Sequence, residues 1–458
     1  MGEEENKSRH VLYGSAGMAA AGMIPSSRRT AKKPEPDPEP EVEQEEEIED
    51  TPIEEEVETT ESAEEAAEDS TAAEEESEPE EEPTPEEPEV QFTRAGIIGH
   101  TGSGDFGIGL DKVYQRLDGV RLDAITDLNA DALEDTRSRI GAPAGYSDYA
   151  EMLEKEDLDL VCVACGWPDQ HFQMIKAALE AEVNVFTEVP FVSSLKEADE
   201  LISLADEKAL KLAVAQQLRS DPNLQKFREE YSELIGELLE LHVFGNMAAN
   251  AGGEDLLLHG THLFDVVRWF AGEVSYCTSQ ITKDGAPAIA DDAHQSSNGN
   301  FGLLLGDTIR AEFVMESEIT VTFLSDARMA DVVGPWGIEF VGSKSRARLY
   351  AGLPPVISIL KKPDPASPSR KDKWYQWPEG LDEYHEPVDK FTGMEAANRR
   401  VVKDWLESIE NDKEPACSAF QAMKALEMVH GVWQSGASMK RAYFPLINRF
   451  HPLSEESQ

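Results

Sequence analysis

Between Arg94 and Ala215 short apolar runs alternate with amphipathic segments of helical length, and this alternation restricts the fold more than any other feature of the chain. Arg94 to Ile98, Leu122 to Thr126, Leu158 to Ala164, Val183 to Phe186 and Leu212 to Ala215 read as strands. The stretches between them read as helices: one through Leu110, Val113, Tyr114 and Leu117, then Ala130 to Ile140, Tyr149 to Lys155, Gln170 to Glu180 and Leu195 to Lys208. Strands joined through helices of this size run parallel, in a sheet covered on both faces. Past Asp221 the pattern changes. Strand-like runs follow one another at Leu238 to Phe244, Tyr276 to Thr282, Thr308 to Met315, Ile319 to Phe323, Gly337 to Val341, Ala347 to Tyr350 and Val356 to Leu360. Alternation in Thr320-Val321-Thr322-Phe323 suits a sheet with one wet face. A helix is expected from His262 to Phe270, and two more at Ala396 to Glu410 and Ala419 to Met439. The expectation is an α/β domain over 91–220, followed by an α+β domain with an open, mostly antiparallel sheet over 221–458.

The formal net charge is −50, and about half of it lies before residue 90. From Lys32 to Glu89 the chain is almost wholly Glu, Pro, Ser, Thr and Ala. Such a composition cannot bury a core, so residues 1–90 are expected to form a disordered acidic tail. An acid balance of this size argues against nucleic acid or an anionic membrane as partner, because it repels phosphate. Val11 to Pro25 is only weakly apolar, follows an acidic start and precedes Arg28-Arg29. It lacks the pattern of an export signal or a membrane span, and a cytoplasmic protein is expected. Cys162 and Cys165 are spaced C-x-x-C along a buried strand, where residues three apart point to opposite faces; neither a metal nor a disulfide is expected there.

The first strand runs into Gly99-His100-Thr101-Gly102-Ser103-Gly104. Glycines between a strand and a helix let backbone N–H groups and the helix N-terminus approach a diphosphate, where a side chain would block contact. The fingerprint can be read as Gly99-x-Thr101-x-x-Gly104, starting directly after the strand, or as Gly102-x-Gly104-x-x-Gly107, starting three residues late. The first register is preferred. Asp127 ends the second strand, where an acid binds the ribose hydroxyls of a dinucleotide; its alternative is a cap before Asn129. Together these indicate a Rossmann domain that takes NAD, with NADP left open.

At this point a resemblance emerges. The chain from about Phe92 to Leu446 resembles the Gfo/Idh/MocA oxidoreductases. The resemblance rests on the glycine segment, Tyr146-Ser147-Asp148-Tyr149, Val161-Cys162-Val163-Ala164, Glu188-Val189-Pro190, Leu218 to Pro222, Ile235-Gly236-Glu237, Gly260-Thr261-His262-Leu263-Phe264-Asp265 and Ala437 to Leu446, in that order. It implies hydride exchange between nicotinamide and a small-molecule sugar, inositol or related polyol held between the domains, in a homo-oligomer (dimer or tetramer). It also implies where this chain departs. Val189 stands where the family has lysine, and Leu258 where it has the first aspartate of Asp-x-Gly-x-His-x-x-Asp. Gly166 to His171 replaces the usual loop and keeps only its histidine.

On this resemblance His262 is the candidate acceptor of the substrate hydroxyl proton, since imidazole titrates near neutrality; its alternative is a cap on the helix from His262 to Phe270. Asp265 either orients it or answers a helix dipole. His259 is a further catalytic candidate, beside Leu258. Glu188 and Pro190, the latter with a cis bond, are expected to shape the nicotinamide pocket. Trp167 covers a ring or plugs the sheet edge, His171 contacts cofactor or caps a helix, and Arg219 reaches substrate or pairs across the domain boundary. Trp374, Tyr375 and Trp377 form a sugar platform or a packed lid. The reading is an NAD(P)-dependent oxidoreductase acting on CH–OH groups. The alternative is a non-catalytic dinucleotide-binding sensor or scaffold, because valine at 189 can neither hold a proton nor neutralise an alkoxide.

Overall fold

The computed structural model describes residues 92–245, 251–296, 299–329, 336–360, 373–378 and 392–457; the acidic tail lies outside them. The apolar runs of the first part form β1 (Thr93–Gly99), β2 (Val120–Asp127), β4 (Leu160–Val163), β5 (Asn184–Thr187) and β6 (Leu212–Val214), with a short β3 (Ala144–Tyr146) that the sequence pattern did not predict. They pair in parallel in the order β3-β2-β1-β4-β5-β6. All four residues of β4 are buried, as expected of a central strand covered on both faces. The covering helices are α1 (Leu133–Ile140), α2 (Tyr149–Lys155), α3 (Pro168–Glu180) and α4 (Leu195–Glu207), the last held by a capping box between Ser194 and Glu197. Chain order reverses between β1 and β4, which opens a crevice at the carboxyl ends of the strands.

One expected helix is not there. After Gly99 the chain forms turns and one 3-10 turn, Leu110–Lys112, in place of an α-helix. Arg116 inside the expected stretch, and Gly102, Gly104, Asp105, Gly107 and Gly109 ahead of it, all lie at positive φ, which interrupts any helical ladder. Leu110, Val113, Tyr114 and Leu117 are nevertheless buried. Periodicity identified the core residues but not the backbone carrying them.

A second helix-first segment was missed altogether. α5 (Pro222–Leu234) opens at Asp221, whose carboxylate accepts from the N–H groups of Asn223 and Leu224, with proline at the first helical position. Then follow β7 (Leu238–Phe244), α6 (Gly253–Ala271), β8 (Val274–Lys283), the two-residue strands β9 (Ala286–Pro287), β10 (His294–Gln295) and β11 (Leu303–Leu304), β12 (Thr308–Met315), β13 (Thr320–Asp326), β14 (Gly337–Gly342), β15 (Arg346–Tyr350), β16 (Val356–Leu360), β17 (Trp374–Trp377), α7 (Thr392–Glu410), α8 (Ala419–Ser438) and β18 (Ala442–Tyr443). The sheet order is β17-β16-β15-β14-β7-β13-β12-β8-β18. Every neighbouring pair is antiparallel except β7 and β13. On β12, Ile309, Ala311 and Phe313 are buried while Arg310 and Glu312 are exposed, the alternation of a sheet packed on one face. Phe264 of α6 packs over Phe313 and Phe323 on that face. Phe227 of α5 meets Phe340 and Trp377 edge-on. Trp377 is thus core, and Trp374 carries Arg348 over its ring on the edge strand β17. Of the two readings of Trp374, Tyr375 and Trp377, this packing agrees with rings laid against their own domain and not with a sugar platform.

α6 begins nine residues before its expected start. Its N-cap, Gly252, sits at φ 91 with no room for a side chain: a Cβ there would come within 2.4 Å of the Gly306 carbonyl oxygen. His259 and His262 therefore lie in the body of a helix and not at its cap. No described helix is long and apolar enough to cross a membrane.

Candidate active site

The glycine loop is laced into the sheet by its own polar groups. The Thr101 N–H and hydroxyl donate to Asp127 at 3.0 and 2.6 Å, and the Gly102 N–H donates to the Asp105 carboxylate at 2.7 Å. The Ser103 N–H donates to the His100 carbonyl at 2.9 Å. Gln170 of α3 holds the loop from the side, through His100 and Ser103. The Phe106 ring lies over Gly99, where a Cβ would come within 2.3 Å of it. These contacts engage the N–H groups of Thr101, Gly102 and Ser103, which lie within the expected register. Gly102, Gly104 and Gly107, with Gly109 after them, are left-handed, a backbone that fits the Gly102-x-Gly104-x-x-Gly107 register. Asp127 also departs from expectation. It is fully buried, and besides Thr101 it accepts from Thr136 Oγ1 at 2.8 Å and the Asn129 N–H at 3.0 Å. Burial pushes its carboxyl up, but these bonds outweigh that and hold it below the usual aspartate value. In this arrangement Asp127 fastens the loop.

Two cavities flank the loop and share Asp105 and Gly107. The larger, about 640 Å³, runs from Gly104 and Gly107 past Gly166, Trp167, Glu188 and Val189 to Leu258, His259 and His262 on α6. Phe301, Trp336 and Leu353 also line it. The smaller, about 460 Å³, is bordered by Thr101, Phe106, Ala132, Thr136 and Arg139. This pairing fits a nicotinamide dinucleotide, with a heterocycle on each side and the diphosphate across the glycines between them. A Cβ at Gly107 would come within 2.3 Å of Glu188 Oε2, so the close approach needs glycine. The smaller cavity is poor in positive charge. Asp105, Asp111 and Asp135 border it, and its Arg139 is ion-paired with Asp111. That suits a free ribose better than a ribose phosphate.

Glu188 directly follows β5 and lines the larger cavity. It accepts from the N–H groups of Val189 at 3.0 Å and Ile108 at 3.4 Å. Burial nonetheless pushes its carboxyl up to about 7. A lysine at 189 would have countered this; valine does not. The Val189–Pro190 bond is cis, as the resemblance implied. Trp167 lies on the cavity wall against Gly299. His171 does not reach the cavity. It is fully buried, with Nδ1 3.0 Å from the Phe191 carbonyl and Nε2 at the Cys165 carbonyl, and so joins two strand-end segments.

Two further expectations are corrected on α6. Asp265 faces away from His262: both its carboxylate oxygens accept from Arg219 Nε, at 2.8 and 2.7 Å, and Arg219 also donates to the Asp265 carbonyl. Both residues are buried, and neither lines the cavity. Arg219 is therefore a packing partner and not a substrate ligand. His259 and His262, three residues apart, share the face toward the cavity, and Trp336 stands over both, 4.9 Å from the first ring and 6.1 Å from the second. Burial pushes His262 down to about 4, with His259 beside it adding to the effect. His259 Nδ1 lies 2.8 Å from Oδ1 of the buried Asp255, one turn earlier. The other oxygen of Asp255 accepts from the Ser325 hydroxyl at 2.5 Å. Asp255, Ser325, Phe301 and Trp336 were not found by sequence reasoning. Asp255-x-x-x-His259 was visible as a spacing, but carries meaning only once α6 is known to start at Gly253.

Comparison with known proteins agrees with this architecture. The family model for the NAD-binding Rossmann fold of the GFO_IDH_MocA oxidoreductases matches residues 93–216, and the model for their C-terminal alpha/beta domain matches residues 246–443. The chain is 25% identical over 258 residues to a myo-inositol 2-dehydrogenase of Thermotoga maritima, covering 54% of this chain and 73% of that protein. It is 23% identical over 338 residues to a D-apiose dehydrogenase of Paraburkholderia graminis, covering 70% and 82%. Among solved structures, a levoglucosan dehydrogenase in complex with NADH superposes with a TM-score of 0.60 at 14% identity, covering 78% of this chain and all of that one.

Proposed function

Because the chain belongs to the Gfo/Idh/MocA oxidoreductase family, with both its NAD-binding and its C-terminal domain, we propose that it is an NAD-dependent dehydrogenase of an uncharged sugar or polyol. The observation that carries the reading is the larger cavity, which joins the glycine loop to two histidines under aromatic walls. Trp167, Phe301 and Trp336 offer flat apolar surface to the C–H face of a sugar ring. The polar lining is Asp105, Glu188, Gln217, His259 and His262, and no lysine or arginine is among its described residues. Such a lining favours hydroxyl groups over carboxylates or phosphates, which would meet no cation among those described residues. Glu188, with its carboxyl near 7, can donate a hydrogen bond as well as accept one.

When bound, the nicotinamide supplies a hydride acceptor at its C4. The chain's own contribution is to orient a carbinol against it, to exclude water with Trp167, Phe301 and Trp336, and to take the hydroxyl proton on an α6 histidine. The four cysteines are free and buried, which suits a reducing, cytoplasmic setting. The test is a panel containing myo-inositol, D-apiose, levoglucosan and common aldoses, with NAD and then NADP, read by NADH or NADPH absorbance. Oxidation of at least one neutral member, faster with NAD, is expected. Activity confined to sugar acids or nucleotide sugars would overturn the reading.

Val189 and Leu258 favour a second reading, a dinucleotide-binding sensor that does no chemistry, since each stands at a cavity position where the family resemblance implies an ionisable group. Val189→Lys separates the two. If an otherwise inert protein becomes active, the sensor reading is correct.

A further inference from the structure

The two cavity histidines are not equivalent, and their partners distinguish them. Ser325 Oγ accepts the Gly252 N–H at 2.8 Å and donates to Asp255 Oδ2. Asp255 is fully buried and accepts on its other oxygen from the His259 ring. With a hydroxyl donor on one side, the carboxylate leaves His259 Nδ1 only the donor's role. The neutral ring must then carry its proton on Nδ1 and present an unprotonated Nε2. His259 lines the cavity, and Trp336 meets its ring edge-on at 4.9 Å, fixing its plane. His262 lines the same cavity on the same helix face, but no carboxylate bonds its ring among the described contacts, and Asp265, three residues on, is held by Arg219. We infer that His259, oriented by Asp255 and Ser325, is the proton acceptor of the dehydrogenase, while His262 forms part of the substrate-facing wall.

This assignment rests on the dehydrogenase reading and says which group performs its proton transfer. As the C–H hydride leaves the carbinol carbon for the nicotinamide, the O–H bond breaks. Its proton bonds to His259 Nε2, and the freed electron pair closes the C=O. The substrate thus gives up one hydride, which carries both electrons to the nicotinamide when that is bound, and one proton, which goes to His259. Asp255 faces the resulting imidazolium and compensates its charge, then solvent takes the proton. Asp255 and Ser325 are positioning residues. Val189 and Leu258 explain why such a device is needed: neither lysine at 189 nor aspartate at 258 is present to hold the proton, and the Asp255–His259 pair supplies a carboxylate and an imidazole at the same spacing of four, one turn nearer the start of α6.

The first arm of the test needs no substrate. In protein with histidine-selective ¹⁵N labelling, assigned with His259→Gln, His259 should show a protonated Nδ1 and a bare, pyridine-like Nε2 at neutral pH. Asp255→Asn should abolish that preference. The second arm uses the panel member oxidised fastest. His259→Ala should lower kcat by about 10²- to 10⁴-fold, with added imidazole restoring part of it, a rescue that only a folded protein can show. His262→Ala should act mainly on KM and gain nothing from imidazole. Asp255→Asn, nearly isosteric, should lower kcat more than it raises KM. A proton on Nε2 of His259, or imidazole rescue of His262→Ala instead, overturns the assignment. An active enzyme whose His259→Ala variant keeps its kcat overturns it alone, whereas a wild type inert to the whole panel overturns the dehydrogenase reading and the assignment with it.

Discussion

Removing the Asp127 carboxylate tests whether this residue fastens the glycine loop. It accepts four hydrogen bonds, from the Thr101 N–H, the Thr101 hydroxyl, the Thr136 hydroxyl and the Asn129 N–H, at 3.0, 2.6, 2.8 and 3.0 Å. In Asp127→Ala the two hydroxyls, 3.5 Å apart, can turn toward one another, but the two amides lose their acceptor. A buried donor left unsatisfied costs about 1–3 kcal/mol, so a loss of about 3 kcal/mol in unfolding free energy is expected. Asp127→Asn, which keeps one acceptor oxygen, should lose about half of that. Urea unfolding followed by circular dichroism measures both, as a lower midpoint at unchanged slope. The pH dependence has a definite sign. Because the folded carboxyl sits below its unfolded value, the stabilisation is present above the ordinary aspartate range and disappears as pH falls through the folded value. The gap between wild type and Asp127→Ala should therefore narrow in strong acid. A ribose ligand with bonding capacity to spare behaves differently. A variant within about 1 kcal/mol of wild type, yet with NADH binding weakened tenfold or more, would refute the tether.

Three further outcomes follow from the same geometry. Asp105→Asn keeps a group that tolerates the left-handed backbone and can still accept from Gly102, but removes a negative charge from the lip shared by both cavities. NADH affinity measured by calorimetry should rise by about three- to tenfold, on the order of 1 kcal/mol. Arg219→Met leaves Asp265 buried without its partner and should cost about 3–5 kcal/mol, most of it recovered in the Arg219→Met, Asp265→Leu double variant; chemical denaturation of the three proteins checks this. Glu188 binds its proton more tightly folded than unfolded, so wild-type stability should fall by about 3 kcal/mol as pH rises from the ordinary 4.5 to about 7. Glu188→Gln should abolish that slope in denaturation curves taken across the range.

The parallel sheet was legible because burial on both faces leaves continuous apolar runs, and Val161 to Ala164 could not be mistaken. The loop after Gly99 was not, since its apolar residues keep helical spacing while left-handed positions, Arg116 among them, forbid the helix. Proximity in sequence also misled at Asp265: three residues from His262 suggests a partner, but the helix turns it to Arg219. Asp221-Pro222 is a strong helix start that was overlooked because the strands beyond it dominate the pattern. The cavity histidines were found by resemblance, while their different roles depend on Asp255, Ser325 and Trp336, which meet only when α6, β13 and the segment before β14 come together. No linear spacing records that contact.

Direct hydride transfer is expected inside the cavity lined by His259 and Trp167. The most direct measurement incubates the protein with NAD and panel sugars deuterated at carbon, then weighs the reduced cofactor by mass spectrometry. Direct transfer predicts one deuterium in each molecule of reduced cofactor. Reduced cofactor bearing only solvent hydrogen, or none formed with any neutral sugar or polyol, would contradict it.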